Sequence, residues 1–336
     1  MSPRVFGARS PAQLERRHQS CGGVKLRVLV TGIGGELGTR VAVLLAEERG
    51  IAAVGGIDLE PPRRRLPRDT FFARIDPRDR VRTVKAVREF APTALVHLGV
   101  FEPFARATPG DAAEHTVAGT VAVLDAAESL DAIVLRSGIE VYGRRRGTPS
   151  VPDELVRTDP TSGFAHTLLK TEMLVHRKAE RVATLRLAPI MGGHVPSPLG
   201  RYLRLPVVGC SAIADPAFSL LHTEDAARAI VHALLRGADG TYNVVAPGAV
   251  TASQAARLGS RVPLPIFGAA WPVMTRIAEL AGAPIPAHVL ELLRRGRSAD
   301  GGAFERDLGF RVLRSTPEVV RDLYEWAPVT PLRAVA

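Results

Sequence analysis

Three hundred and thirty-six residues, 46% apolar and 23% charged with a formal net charge of +10, make a chain long enough to bury a large core without disulfide or metal staples. Two cysteines, Cys21 and Cys210, exclude a disulfide framework or a zinc cluster and point to a reducing, cytoplasmic setting. No apolar run approaches the roughly 20 residues of a membrane span. Aromatics at 5% and arginines dispersed along the chain argue against nucleic acid as a partner.

Residues 1–24 are polar and aperiodic and include Arg4, Arg9, Arg16 and Arg17; they read as a disordered extension or a start placed too early. Lys25–Thr31 has the β-branched, apolar run of a buried strand, and Gly35–Arg49 follows as a helix with Leu37, Val41, Leu44 and Leu45 at helical spacing. Ile51–Asp58 is a second strand, Phe71–Ile75 a third, Asp79–Phe90 a helix and Ala94–Leu98 a fourth strand. Asp111–Ser129 is a helix, Ala132–Ser137 a strand, Gly163–Arg181 a helix and Ala183–Leu187 a strand. This alternation predicts an α/β fold, a doubly wound parallel (Rossmann) sheet spanning 25–187. A smaller α+β substrate lobe over 188–330 is expected to interleave with it. There Thr223–Arg236 reads as a helix, Thr241–Val245 as a strand, Pro263–Trp271 as an apolar loop, and 272–281, 286–296 and 316–326 as helices.

Thr31–Gly38 (TGIGGELG) joins the first strand to the first helix with glycines at 32, 35 and 38. Gly32 suits the tight turn, Gly35 lets a pyrophosphate approach the backbone, and Gly38 lets helix and strand pack closely. The helix N-terminus behind them offers free N–H groups and a positive dipole end, to which Gly34 and Leu37 also contribute. Asp58 ends the second strand, placed to accept hydrogen bonds from ribose hydroxyls. Its carboxylate would repel a 2′-phosphate, which favours NAD over NADP, although Arg63, Arg64 and Arg65 follow closely.

These residues resemble the extended short-chain dehydrogenases/reductases, the NAD-dependent epimerase/dehydratase group that includes UDP-glucose 4-epimerase. The resemblance runs over about 25–326. Besides the glycine turn it includes Asp76-Pro77-Arg78-Asp79, similar to a DxxD segment whose first aspartate contacts adenine. Val96-His97-Leu98-Gly99 is like the VHLA strand end beside the cofactor, and Thr116-Val117-Ala118-Gly119-Thr120 is like NVxGT. Val141-Tyr142-Gly143, Leu185-Arg186, Leu221–Ala227, Gly240–Val244 and Asp307–Phe310 continue the series. The resemblance implies NAD as cofactor, held by Gly32, Gly34, Gly35, Leu37, Gly38, Asp58, Asp76, Leu98 and Lys170. It also implies a small-molecule substrate of the nucleotide-sugar kind and no metal. A homodimer would form through the helices at 111–129 and 163–181. The asparagine often found just after the sixth strand of sugar-nucleotide epimerases is missing from Leu187-Ala188-Pro189, which argues against a UDP-sugar.

The family's Ser/Thr, Tyr and Lys are altered. Lys170 fits the lysine of YxxxK, but four residues earlier stands His166, and the hydroxyl position falls on Gly138 with Ser137 beside it. His166 and Lys170 would share a helix face. A histidine titrates near pH 6.5, and a neighbouring cation would favour its neutral base form. His166, Lys170 and Ser137 are therefore the catalytic candidates for a hydride-transferring oxidoreductase or isomerase. The alternative is a catalytically silent NAD-binding sensor or scaffold. His97 reads as a core histidine and Tyr142 as structural. Arg144, Arg145, Arg146, Arg201 and Arg204 are weaker candidates for a substrate anion. The uncharged Val262–Thr275 reads as lobe core or as a lid over an apolar substrate.

Overall fold

The computed structural model describes residues 25–62, 64–127, 129–143, 157–179 and 181–325. The expected N-terminal extension, Arg63 and Arg144–Arg146 lie outside the described residues. Seven strands form one parallel sheet: β1 (Leu26–Thr31), β2 (Ile51–Asp58), β3 (Phe71–Arg74), β4 (Ala94–His97), β5 (Ala132–Gly138), β6 (Val182–Leu187) and β11 (Gly240–Val244). Their order is β11-β6-β5-β4-β1-β2-β3. The short pieces β7 (Ile190–Met191), β8 (Val207–Ser211), β9 (Ala217–Phe218), β10 (Leu221–His222), β12 (Val250–Thr251) and β13 (Val262–Ile266) pair two by two outside it. The helices are α1 (Glu36–Glu47), α2 (Arg80–Phe90), α3 (Pro109–Ala126), α4 (Gly163–Lys178), α5 (Pro198–Leu203), α6 (Thr223–Leu235), α7 (Ala252–Leu258), α8 (Trp271–Leu280), α9 (Ala287–Arg295), α10 (Gly302–Leu308) and α11 (Thr316–Tyr324).

The period of two in β1 sends Val28 and Val30 to the face covered by α1 and α6 and Leu29 to the face covered by α2, α3 and α4. Both faces are buried, which is why the central strands read as unbroken apolar runs. A third cluster around Tyr202, Phe218, Trp271 and Leu323 is the core of the lobe. Helix starts follow their caps. Asp79 accepts from Arg82 N at 3.0 Å before α2, Thr108 from Asp111 N before Pro109 opens α3, and Ser162 from Ala165 N before α4. The helix expected from Asp111 therefore begins at Pro109.

Three short helices, α5, α7 and α10, were not expected, each being too short to display a period. Pro263–Trp271, expected as loop, is instead strand β13 running parallel to β8, then a turn into α8. Pro263 and Pro265 are tolerated because β13 has only one partner strand. The segment splits in burial: Ile266, Trp271 and Met274 enter the lobe core, while Val262 and Phe267 are exposed. It is not among the residues lining the cavities described below, so it forms no lid there. Among the described residues, no helix is long and apolar enough to cross a membrane, and no group of three or more His, Cys, Asp or Glu side chains could hold a metal ion.

Candidate active site

The strand order reverses between β1 and β4, and a cleft opens at their carboxyl ends, where α/β sheets bind ligands. Gly32 turns the chain out of β1 with φ +74°; a Cβ there would meet the Leu98 carbonyl oxygen at 2.8 Å. A Cβ on Gly38 would collide with the Gly32 carbonyl, so α1 seats against the turn only as glycine. Gly32, Gly35, Leu37, Gly38, Asp58 and Leu98 all line a cleft of about 790 Å³. Gly34 does not line it; its N–H donates to Asp58 Oδ2 at 2.8 Å. Asp58 Oδ1 accepts from Glu60 N at 3.2 Å, so this carboxylate braces the turn and keeps lone pairs for a ligand. Burial raises the Asp58 pKa against the lowering by those N–H groups and by Arg106. The cradle has Gly35 on the cleft wall, the N-terminal N–H groups of α1 and an acceptor carboxylate: it fits a dinucleotide's pyrophosphate and ribose.

Beside it lies a slot walled by Ile57, Ile75, Pro77, Phe101, His115 and Gly119. Thr83 Oγ1 and both ring nitrogens of His115 are buried there with no hydrogen-bond partner among the described residues. Asp76 is not a wall of the slot. Arg78 binds its carboxylate at 2.8 Å and holds its pKa down at about 2, leaving it at the rim 3.7 Å from His115.

The cleft runs on through Glu102, Arg136 and Ile190 into a pocket of about 480 Å³. Its polar end is Glu102, Arg136, Glu140 and His288; its walls include Phe164, Leu168, Leu187 and Leu292. His288 Nε2 lies 3.1 Å from Glu102 Oε1, and its ring rests on Phe164 with centroids 4.7 Å apart. Arg136 is half-buried, donates to the Val100 carbonyl at 3.2 Å, and has its pKa lowered by desolvation against the pull of Glu102 and Glu140.

His166 and Lys170 are not in this pocket. The buried face of α4 carries Phe164, Thr167, Leu168, Thr171 and Glu172, whereas His166 and Lys170 are exposed. Two residues of helix turn about 200°, so the expected pair does share a face, but it is the outer one. The pair spaced four apart that faces the pocket is Phe164 and Leu168. Ser137 does line the pocket, yet its hydroxyl donates to Glu172 Oε1 at 2.5 Å. Glu172 also binds Arg186 at 2.8 Å, Arg186 reaches the Tyr142 hydroxyl at 3.2 Å, and Tyr142 donates to Asn243 Oδ1 at 2.8 Å. Tyr142 is thus structural, as expected. So is His97, held between Thr31 Oγ1 and Thr120 Oγ1 at 2.9 Å each; burial lowers its pKa to about 4. Arg201 donates to the Phe104 and Ala105 carbonyls and Arg204 to that of Leu323 at 3.1 Å, so Arg201 pins a loop and Arg204 the end of α11, and neither lines the cleft.

The sequence reading missed Glu36, Glu102, Arg106, Arg136, Glu140 and His288. Glu36 is buried in the cleft and offset by Arg40 at 2.9 Å and Arg64 at 3.1 Å. Arg106 binds Glu60 at 2.9 Å while its Nε and Nη2 are buried without a partner among the described residues. A buried charge beside a glycine turn was the one available signal, for Glu36.

The model of the NAD dependent epimerase/dehydratase family matches residues 28–245. An uncharacterized protein of Mycobacterium tuberculosis (strain ATCC 25618 / H37Rv) is 30% identical over 322 residues, covering 91% of this chain and 85% of its own length. The fold is similar to UDP-glucose 4-epimerase of Thermotoga maritima solved with UDP-glucose (TM-score 0.69, 19% identity, 88% of this chain and 97% of that one). It is also similar to UDP-glucose 4-epimerase of Thermus thermophilus in complex with NAD (TM-score 0.69, 20% identity, 88% and 97%). The enzyme WbmG of Bordetella bronchiseptica, in complex with NAD and UDP, gives 0.67 at 18% identity over 90% and 94%. At such identities the likeness is one of fold.

Proposed function

This chain belongs to the NAD-dependent epimerase/dehydratase family, whose cofactor is NAD, and we propose that it is an enzyme that uses NAD to act at a carbinol carbon of a small molecule. One observation carries the reading: a single cleft runs from the glycine turn and Asp58 to a polar-ended pocket, joined through Glu102, Arg136 and Ile190. The nicotinamide, when bound, accepts and returns a hydride. The start of α1 would hold the pyrophosphate, Asp58 the adenosine ribose, and the slot at Phe101 and His115 the base. The Asp58 carboxylate favours NAD over NADP. The pocket walls exclude water from the substrate, and Glu102, Arg136, Glu140 and His288 orient it. The solved neighbours carry UDP-glucose or UDP, which makes a nucleotide-sugar the first substrate class to try.

A second reading, an NAD-binding sensor or scaffold without catalysis, is favoured by Gly138, Phe164 and Leu168, which present no acid or base to the pocket. Calorimetric titration with NAD+, NADH and NADP+ tests the shared premise, and turnover of UDP-sugars in the NAD-loaded protein separates the two. No dinucleotide binding would sink both. Pairing of two copies through α3 and α4 is proposed as well; Met173 is exposed on the outer face of α4. Light scattering at micromolar concentration that finds a monomer would remove it.

A further inference from the structure

Gly138 ends β5 and the chain passes at once into the single 3₁₀ turn Ile139–Tyr142, which carries Glu140. A Cβ built on Gly138 would collide with Oε2 of Glu140. A side chain at 138 would therefore have to push the end of the Glu140 side chain aside, and glycine leaves that carboxylate where it is. Glu140 is only 5% exposed and lines the pocket. Among the described residues, no donor lies within hydrogen-bond reach of its carboxylate. A carboxylate that faces the pocket with no donor on it keeps its lone pairs for a ligand.

The rest of the pocket limits what that partner is. Phe164, Leu168, Leu187 and Leu292 give it an apolar body. Its ionisable groups are two carboxylates, Glu102 and Glu140, one guanidinium, Arg136, and His288 bound to Glu102. Two acids against one arginine disfavour an anion. We infer that the pocket takes a small molecule with an apolar body and a hydrogen-bond donor, a hydroxyl or a protonated amine, that docks on Glu140. This rests on the proposed function and narrows it, from a nucleotide-sugar to a neutral or cationic small molecule: Glu140 touches the substrate where Gly138 leaves no hydroxyl to do so.

Saturation-transfer NMR on the full chain, with and without NADH, tests this with cyclohexanol, cyclohexylamine and cyclohexanecarboxylate as probes. The alcohol and the ammonium should bind and the carboxylate should not. Glu140→Gln should weaken the ammonium by about tenfold or more, the scale of a lost charge-assisted hydrogen bond, while NADH affinity stays within about twofold. Gly138→Ala, whose Cβ displaces the carboxylate, should have the same effect, and circular dichroism checks that both variants fold. Tightest binding by the carboxylate, no binding by any probe, or equal ammonium binding in the wild type and Glu140→Gln would overturn the inference. If the ammonium binds through Glu140 but NADH does not bind at all, the cofactor reading fails and the pocket assignment stands.

Discussion

Ser137 gives its hydroxyl hydrogen to Glu172 at 2.5 Å, and the same carboxylate grips Arg186 on β6, so the end of β5 is tied to α4 and β6 by one buried acid. Removing that acid leaves a buried arginine unpaired. Glu172→Ala should destabilise the fold by about 3 kcal/mol or more, and Ser137→Ala by only about 1 kcal/mol. Urea denaturation followed by circular dichroism measures both. Ser137→Ala should leave NAD affinity unchanged, because the hydroxyl is committed to structure.

Asp58 both braces Gly34 and lines the cleft. Asp58→Ala should weaken NAD+ by about tenfold or more in calorimetry, and Asp58→Asn by less, since one acceptor oxygen survives. NADP+ should lose less than NAD+, because the repelling charge is gone.

Arg106 presents two N–H groups to the cleft while its third nitrogen holds Glu60. A guanidinium edge of that kind matches phosphate oxygens. Arg106→Ala should weaken NAD+ by about tenfold, and Arg106→Lys should restore little, since the fork is lost. Equal affinities in the three proteins would show that the edge meets no phosphate.

Lys170 and His166 project from the exposed face of α4. Replacing either by alanine should leave NAD+ affinity within about twofold. A large loss at Lys170 would instead return the ribose-holding role to it.

His97 is neutral in the fold, its pKa lowered by burial from 6.5 to about 4. Between those values the unfolded chain binds a proton that the folded chain does not. The stability it contributes is thus complete above about pH 6.5 and is lost as pH falls toward 4, each unit costing up to about 1.4 kcal/mol. Thermal midpoints should fall over that window, and His97→Gln should flatten the fall. A slope unchanged by the substitution would assign it to other groups, among them His222, whose pKa burial also lowers.

The legible part of this chain is local. The eight residues from Thr31 to Gly38, the acid at Asp58 and the alternation of buried strand and helix each signal through neighbours in the chain, and so the parallel sheet and the glycine turn that opens the cleft could be read from residue order. The far side of the site could not. Lys170 satisfied a spacing rule, but spacing fixes only which residues share a face, and packing of α4 on the sheet decided which face turned inward. Phe164 and Leu168 carry no chemical signal, and Glu140 in an apolar run gives no hint that Gly138 makes room for it. His288 and Glu102 meet across 186 residues of chain. Such a pocket exists only once α9 has docked against the ends of the strands, because burial and the pairing of distant charges arise from tertiary packing and leave no periodic trace in the sequence.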